Sequence, residues 1–347
     1  MSNKDIFFKR ENRKVVAVKL TKSDRLKVKK KIDKILKEKK EIIPKKYLKK
    51  IEDISLYHPE GNIAKAEAII LDPDDGAFST ANKLNELTGK EWTKFTSSWF
   101  VFNALRSDIK EEQKITSRFK LNSDEHPATF SPTMISNFIS FFTKSGQSVI
   151  DPFAGIGTTL VACQRTKRKG IGIELNKKYF KIAKVRTNQK IFNGNSLEIN
   201  DILTKNKIKN IDFCITSPPY WNVLNRSTGG FKNKREEKKL DYTYSNKEKD
   251  LGNIDNYDHF IDKLVNIFVD LKKFLKKDAY VIVILKNVKK GGKNYPIAWD
   301  FAKKMSDVYT LKDEKIWCQD KVGLAPFGYP YAYTTNIHHH YCLVFRN

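Results

Sequence analysis

Residues Ile211–Trp221 spell IDFCITSPPYW, two short pieces with different physics. Ile211 to Ile215 is an apolar run of the kind that forms a buried parallel strand. Thr216-Ser217-Pro218-Pro219-Tyr220-Trp221 then ends that strand abruptly, because two prolines can neither donate to a ladder nor continue into a helix. A strand that stops in a rigid Pro-Pro turn carrying a hydroxyl and two aromatics makes a preorganised cup at a carboxyl edge. That edge is where open α/β sheets place their ligands.

Outward from this stretch, the chain alternates strand and helix from Asp124 to its end. Ser131-Pro132 opens a helix with proline at its first position. Met134, Ile135, Phe138, Ile139 and Phe142 form its apolar stripe, and Gly146 is its expected stop. Strands are expected at 147–152, 170–174, 190–193, 211–215, 279–285, 311–318 and 338–346, and helices at 157–168, 177–188, 257–276 and near 296–308. Seven strands with interleaved helices predict an α/β fold built on a doubly wound, mostly parallel seven-stranded sheet.

The first 123 residues read differently. Residues 1–50 hold 20 Lys and Arg against 6 Asp and Glu. Val28, Ile32, Ile35 and Leu36 recur there at helical spacing, and Tyr47, Leu48 and Ile51 follow Pro44, so 1–56 is expected to be a basic helical arm lying along phosphates. Residues 57–123 contain a turn signal at Pro73-Asp74-Asp75-Gly76. Leu84 to Trp92 reads as a helix, a Gly89 stop and a new start. Trp92, Phe95, Trp99, Phe100 and Phe102 stand among bases, which makes this segment a candidate target-recognition region.

Across its 347 residues the chain carries 66 Lys and Arg against 40 Asp and Glu, a net charge of +26 that points to a polyanionic partner, nucleic acid before membrane or acidic protein. The four cysteines, Cys163, Cys214, Cys318 and Cys342, form no CxxC pair and suit buried, reduced thiols of a cytosolic protein. No apolar run approaches a membrane span, and no signal peptide is expected. His338-His339-His340 alternate faces along a strand and cannot all ligate one ion, so no metal site is expected.

Two further motifs end strands of the same expected sheet. Asp151-Pro152-Phe153-Ala154-Gly155-Ile156-Gly157-Thr158-Thr159 follows the first strand and opens a helix, with Gly155 and Gly157 allowing a tight turn and close approach to a ligand. Glu174, about 20 residues on, ends the next strand, where a carboxylate can accept hydrogen bonds from both hydroxyls of a ribose. The pair serves dinucleotides and adenosyl cofactors alike.

Together, DPFAGIGTT, GIGIEL and TSPPYW resemble the S-adenosylmethionine-dependent amino-methyltransferases of DNA. The resemblance runs from His126 to the C-terminus and makes 124–347 the methyltransferase domain, with a Rossmann-like sheet. It implies S-adenosyl-L-methionine as cofactor, with Asp151, Phe153, Gly155, Gly157 and Thr158 around its methionine part and Glu174 on its ribose. Asn195 stands where the family commonly has Asp against the adenine amine. Pro127 and Thr129, in the segment His126–Phe130, resemble the family's closure over the amino-acid end. The tail, His339 to Arg346, resembles the family's last strand, and the cofactor half precedes the catalytic half.

The resemblance also gives TSPPYW its chemistry. An exocyclic base amine is a poor nucleophile because its lone pair is delocalised into the ring. Ser217 and the carbonyl of Pro218 can accept its N–H bonds and turn that lone pair toward the methyl group, Pro218 and Pro219 fix the geometry, and Tyr220 can stack on a base flipped out of the duplex. Ser217 favours cytosine N4 over adenine N6. Ring-carbon methylation is excluded because no proline here precedes a cysteine. An RNA amino-methyltransferase and a DNA-binding protein without catalysis are the remaining readings, and the intact Ser217, Tyr220 and Glu174 count against the latter. The polar loop 222–256 is expected to be mobile and to face DNA. Double-stranded DNA and a cognate restriction endonuclease are the implied partners, in the cytoplasm and on the nucleoid of a bacterium or its phage, with no membrane.

Overall fold

A computed structural model describes residues 6–11, 14–19, 55–57, 68–72, 76–79, 82–103, 105–118, 130–221, 251–320, 323–326 and 328–347, with isolated positions between 23 and 37. The chain divides into two units, Met1–Ser97 and Ser98–Asn347.

In the first unit β1 (Ile6–Glu11) and β2 (Lys14–Lys19) form an antiparallel ribbon, so the basic arm is not purely helical. Phe7, Val16 and Val18 explain why: aromatic and β-branched side chains suit a pleated ribbon. The apolar repeats at Val28–Leu36 and Tyr47–Ile51 lie outside the described residues. β3 (Ser55–Tyr57), β4 (Ala68–Asp72) and β5 (Gly76–Ser79) form a three-stranded antiparallel sheet, with β4 and β5 flanking the predicted turn.

The expected helix before Gly89 is absent. The Asn82 side-chain oxygen accepts the N–H groups of Leu84 and Asn85, and that of Asn85 accepts the Leu87 N–H. Such local side-chain bonds compete with helix. Gly89 instead starts α1 (Gly89–Phe95), capped by a reciprocal Thr88/Glu91 box.

The second unit is a mixed sheet with helices packed on it. Its elements in order are β6 (Trp99–Val101), α2 (Arg106–Arg118), α3 (Pro132–Phe142), β7 (Ser148–Asp151), α4 (Thr158–Arg165), β8 (Lys169–Glu174), α5 (Lys177–Arg186), β9 (Lys190–Asn193), α6 (Ile199–Lys205), β10 (Ile211–Thr216), α7 (Tyr257–Lys272), β11 (Leu275–Leu285), β12 (Val288–Lys290), β13 (Lys293–Tyr295), α8 (Ile297–Met305), β14 (Thr310–Cys318) and β15 (His339–Arg346). All seven predicted strands are present. The sheet among the described residues has eight, in the order β6-β14-β15-β11-β10-β7-β8-β9, and only β15 runs against its neighbours. β12 and β13 form a separate hairpin.

The eighth strand, β6, lies in the stretch read as an aromatic-rich segment, and it moves the unit boundary from 123/124 to 97/98. Phe100 meets Phe138 of α3 edge to face, and Trp317 Nε1 donates to the Phe102 carbonyl at 2.9 Å. α2 is tied to the same core through Asp108, only 3% exposed, which accepts from the Ser131 hydroxyl, the Thr133 N–H at 3.2 Å and Arg165 Nη1 at 2.9 Å. The Met134-Ile135-Phe138-Ile139-Phe142 stripe of α3 is buried, and Phe142 stacks on Phe213 of β10.

Among the described residues no helix is long and apolar enough to cross a membrane. Burial raises the Asp108 pKa, but the bonds from Ser131, Arg165 and Thr133 outweigh it and hold the carboxyl below its ordinary value. Asp108→Ala strands these donors in a dry site and should cost about 2–4 kcal/mol in urea unfolding. An unfolding midpoint equal to wild type would remove this tie from the account of the boundary.

Candidate active site

The chain runs outward through β7, β8 and β9 and then returns to lay β10 on the other side of β7. The order of the sheet therefore reverses between β7 and β10, the position where open α/β sheets leave a crevice at their carboxyl ends. A cleft of about 1010 Å³, part of it open to solvent, lies there, and both predicted halves of the site line it.

The β7 half begins with Asp151, 4% exposed. Its Oδ1 accepts from the Phe153 N–H at 2.9 Å and from the Thr216 hydroxyl at 2.5 Å, and its Oδ2 accepts from the Thr159 hydroxyl at 2.5 Å. Burial raises its pKa against the pull of these three bonds. Asp151 is thus committed inside the protein: it fastens the turn after β7 to α4 and to the last residue of β10.

Gly155 (φ 53°) directs its N–H to Glu174 Oε2 at 2.8 Å, and the Asn176 N–H reaches Oε1 at 2.6 Å. These two bonds fix the facing of the carboxylate at the end of β8. Gly157, expected beside a ligand, does not line the cleft. It sits at φ 85°, and a Cβ there would come within 2.8 Å of Ala183 Cβ on α5, so its smallness serves helix packing. Phe153, Gly155, Thr158, Glu174 and Asn195 all line the cleft. The Asn195 oxygen accepts from the Leu197 N–H at 3.0 Å and caps the single turn Ser196–Glu198. Pro127 and Thr129 lie outside the described residues, and Phe130, which follows them, lines the cleft.

On the β10 half, Ser217, Pro218 and Pro219 line the cleft and Tyr220 does not. The Tyr220 hydroxyl is 3.1 Å from Ser217 Oγ, and its ring centroid is 6.0 Å from that of His340. Trp221 takes a positive φ of 43° and is 3% exposed. It packs on Tyr295 at 4.7 Å and Tyr257 at 5.3 Å, with Lys290 Nζ 4.2 Å above its ring. This aromatic nest pins the far end of the Pro-Pro turn. Leu251, in the stretch read as a mobile loop, is buried and lines the cleft, and Gly252 beside it is buried too; 222–250 lie outside the described residues.

Two buried groups flank the Ser-Pro-Pro turn without lining the cleft, and the setting of the first, His340, had no signal in the sequence. His340 stacks on Trp317 at 4.5 Å, its Nδ1 has no hydrogen-bond partner, and burial, with Lys286 and His339 beside it, pushes its imidazole down to about 3. Burial, with Asp151 next to it, also raises the Cys214 pKa well above its ordinary value, so this thiol stays protonated. No group of three or more metal-ligating side chains occurs among the described residues, His338–His340 included.

A glycine turn, an acidic strand end and a Ser-Pro-Pro turn thus meet around one crevice of an α/β sheet. The DNA methylase family model that covers N6 and N4 enzymes matches residues 3–185, more than half of the 347, and the chain belongs to that family of S-adenosylmethionine-dependent amino-methyltransferases. Among curated proteins it is 37% identical over 73 residues to the type II methyltransferase M.HpaI of Haemophilus parainfluenzae, which is 21% of this chain and 23% of that one. It is 34% identical over 98 residues to M.SmaI of Serratia marcescens, 27% and 34% of the two chains, and 48% identical over 58 residues to M.Cfr9I of Citrobacter freundii, 17% and 19%. The matches thus span about a fifth to a third of these relatives' own length. A solved methyltransferase of Pyrococcus furiosus is 15% identical at a TM-score of 0.37, covering 70% of this chain and 96% of that one.

Two measurements probe the site's architecture. Asp151→Ala leaves the Thr159 and Thr216 hydroxyls and the Phe153 N–H without their acceptor and should destabilise the fold by about 3 kcal/mol. Thr216→Val should cost about 1–2 kcal/mol. Equal unfolding curves would mean that the knot contributes nothing. For His340, the folded pKa near 3 lies below the ordinary 6.5. Between those values the unfolded chain binds the proton and the folded one does not. Stability from this group is complete above pH 6.5 and is lost as pH falls toward 3, by up to about 1.4 kcal/mol per pH unit. His340→Phe should flatten the stability profile between pH 4 and 6; an unchanged slope would contradict the assignment.

Proposed function

We propose that the protein transfers a methyl group from S-adenosylmethionine to an exocyclic amine of a base in duplex DNA, with cytosine N4 as the target. The observation that carries this reading is that Ser217-Pro218-Pro219 and the Gly155/Glu174 turn line a single cleft at the reversal point of the sheet. Family membership and the +26 net charge support it.

The lining of the cleft suits the cofactor, since Phe153, Ile173 and Leu175 are apolar and stand with the Glu174 carboxylate. When bound, the cofactor supplies an electrophilic methyl group on a sulfonium. Phe153, Gly155 and Thr158 would hold its methionine part, Glu174 its ribose hydroxyls, and Asn195 its adenine amine. Asp151 acts as a positioning residue, because its oxygens are spent on Phe153, Thr159 and Thr216.

Across the cleft, Ser217 Oγ and the Pro218 carbonyl accept the two N–H bonds of the target amine. That favours a tetrahedral nitrogen whose lone pair is withdrawn from the ring π system and stabilises the positive charge that develops there as the N–C bond forms and the C–S bond breaks; the surplus N–H proton then passes to solvent. The Tyr220 hydroxyl, 3.1 Å from Ser217 Oγ, orients the serine. A flipped base costs a few kcal/mol of unstacking, which the basic surface offsets through phosphate contacts. Ser217, neutral and small, is the basis for preferring cytosine. The type II names of the relatives are the basis for expecting a cognate restriction endonuclease.

Tritiated cofactor and unmethylated genomic DNA, followed by nucleoside mass spectrometry, test the proposal. N4-methylcytosine is the expected product, N6-methyladenine would move the target to adenine, and label in RNA alone would overturn the substrate class. Ser217→Ala should lower turnover roughly 10²–10³-fold with cofactor affinity retained. Full turnover in that variant would remove Ser217 from the chemistry.

A further inference from the structure

At the same sheet edge as the cleft, the connection from β14 to β15 presents a row of nearly bare tyrosines: Tyr329 is 81% exposed, Tyr331 94% and Tyr333 92%. Bare aromatics of this size on a slack loop would say little, but this loop is built. The Gln319 N–H donates to the His338 carbonyl at 2.8 Å at its base. Higher up, the Asn336 amide accepts from the Ala325 N–H at 3.1 Å and donates to the Ala325 carbonyl at 2.9 Å. At its tip the N–H groups of Tyr331 and Ala332 donate to the Gly328 carbonyl at 2.8 and 2.7 Å. Only glycine fits there, because a Cβ on Gly328 would lie 2.2 Å from the Ala332 oxygen.

The loop is also wired to the catalytic turn. Lys289, on the β12–β13 hairpin, donates to Thr334 Oγ1 at 2.6 Å and to the Thr335 carbonyl at 2.5 Å. The next residue, Lys290, lies over Trp221, and Tyr295 at the end of the same hairpin packs on Trp221. A continuous path thus runs from the Pro-Pro turn through a hairpin bearing Lys289, Lys290 and Lys293 to the exposed tyrosines. Bases beside aromatics along one edge are what a nucleic-acid strand requires: cations for phosphates and flat rings for unstacked bases.

We propose that Tyr331 and Tyr333 form a stacking platform for the DNA bases next to the extruded target nucleotide, with the chain's net charge of +26 drawing in the phosphates. The proposal rests on the DNA-methyltransferase reading and names the surface that holds the duplex open. It predicts that the protein favours DNA with an unpaired nucleotide over fully paired DNA, and that the preference resides in these two rings.

The test uses the full chain and fluorescein-labelled 24-mer pools of randomised sequence, one fully paired and one with a single central unpaired nucleotide, read by anisotropy. Wild type should bind the second pool more tightly. The Tyr331→Ala/Tyr333→Ala variant should weaken that binding roughly tenfold or more and lose the preference, whereas Tyr331→Phe/Tyr333→Phe should keep both. Equal affinity and preference in wild type and the alanine variant would overturn the proposal. So would tighter binding of an RNA pool of the same design. Methyl transfer is measured on the same preparations. Its absence in wild type sinks the transferase reading and leaves the binding comparison decisive, whereas normal transfer with unaltered alanine-variant binding sinks the platform alone.

Discussion

The hydrogen-bonded knot of Asp151 with Thr159 and Thr216 is the constraint on which the site depends. Two segments that are 65 residues apart in the chain must end at the same height in the sheet for both turns to line one cleft. Backbone pairing alone leaves this loosely set, since β7 and β10 share only the register Val149–Phe213 and Ile150–Cys214. The Asp151 carboxylate reaches past that short ladder and ties the first residue of one turn to the residue before the other. Its bonds to two hydroxyls and an N–H are made in a dry place, where each is stronger than it would be in water. Rigidity at this point is inherited by both turns, and the proposed methyl transfer would demand it, because small errors in the approach of two reacting atoms are costly.

A second layer of support comes from aromatic packing. Trp221 is held in a left-handed backbone conformation, which a bulky residue adopts only when its surroundings overdetermine it. Tyr257, Tyr295 and Lys290 supply those surroundings, and Tyr257 is itself fixed by a 2.6 Å bond to Asp300. On the opposite flank His340 lies flat on Trp317 and stays neutral. The Pro-Pro turn is therefore clamped between two ring clusters from elements that follow it in the chain.

How far the sequence discloses all this depends on the range of the interactions. The seven strands that alternate with helices were legible because their apolar runs are continuous and their ends are marked by glycine, proline or acid. The placement of Gly155, Glu174 and Ser217 around one cleft was legible because each belongs to a contiguous motif at a strand end. β6 was not, since a three-residue edge strand with alternating exposure, Trp99 and Val101 out and Phe100 half in, has no period to detect. The contact of Gly157 with Ala183 was not legible, because a glycine needed for helix packing looks the same in sequence as one needed for a ligand. The β1–β2 ribbon was hidden by the neighbouring lysine-rich helical pattern. The roles of Lys290, Tyr295 and His340 arise from side chains meeting across distant elements, which one sequence does not record.

The place where the two units part has a consequence for how such a protein can be inherited. The first residues of the sheet domain, Ser98 to Phe102, are stitched into the ladder beside β14, and α2 with Asp108 is fastened under α3. A genetic exchange that cut at the visible change of composition near 124 would carry away an edge strand and the carboxylate that accepts from Ser131, Thr133 and Arg165. One that cut at 97/98 would leave the ladder whole. For the ladder to stay whole, everything from Ser98 onward must therefore travel together.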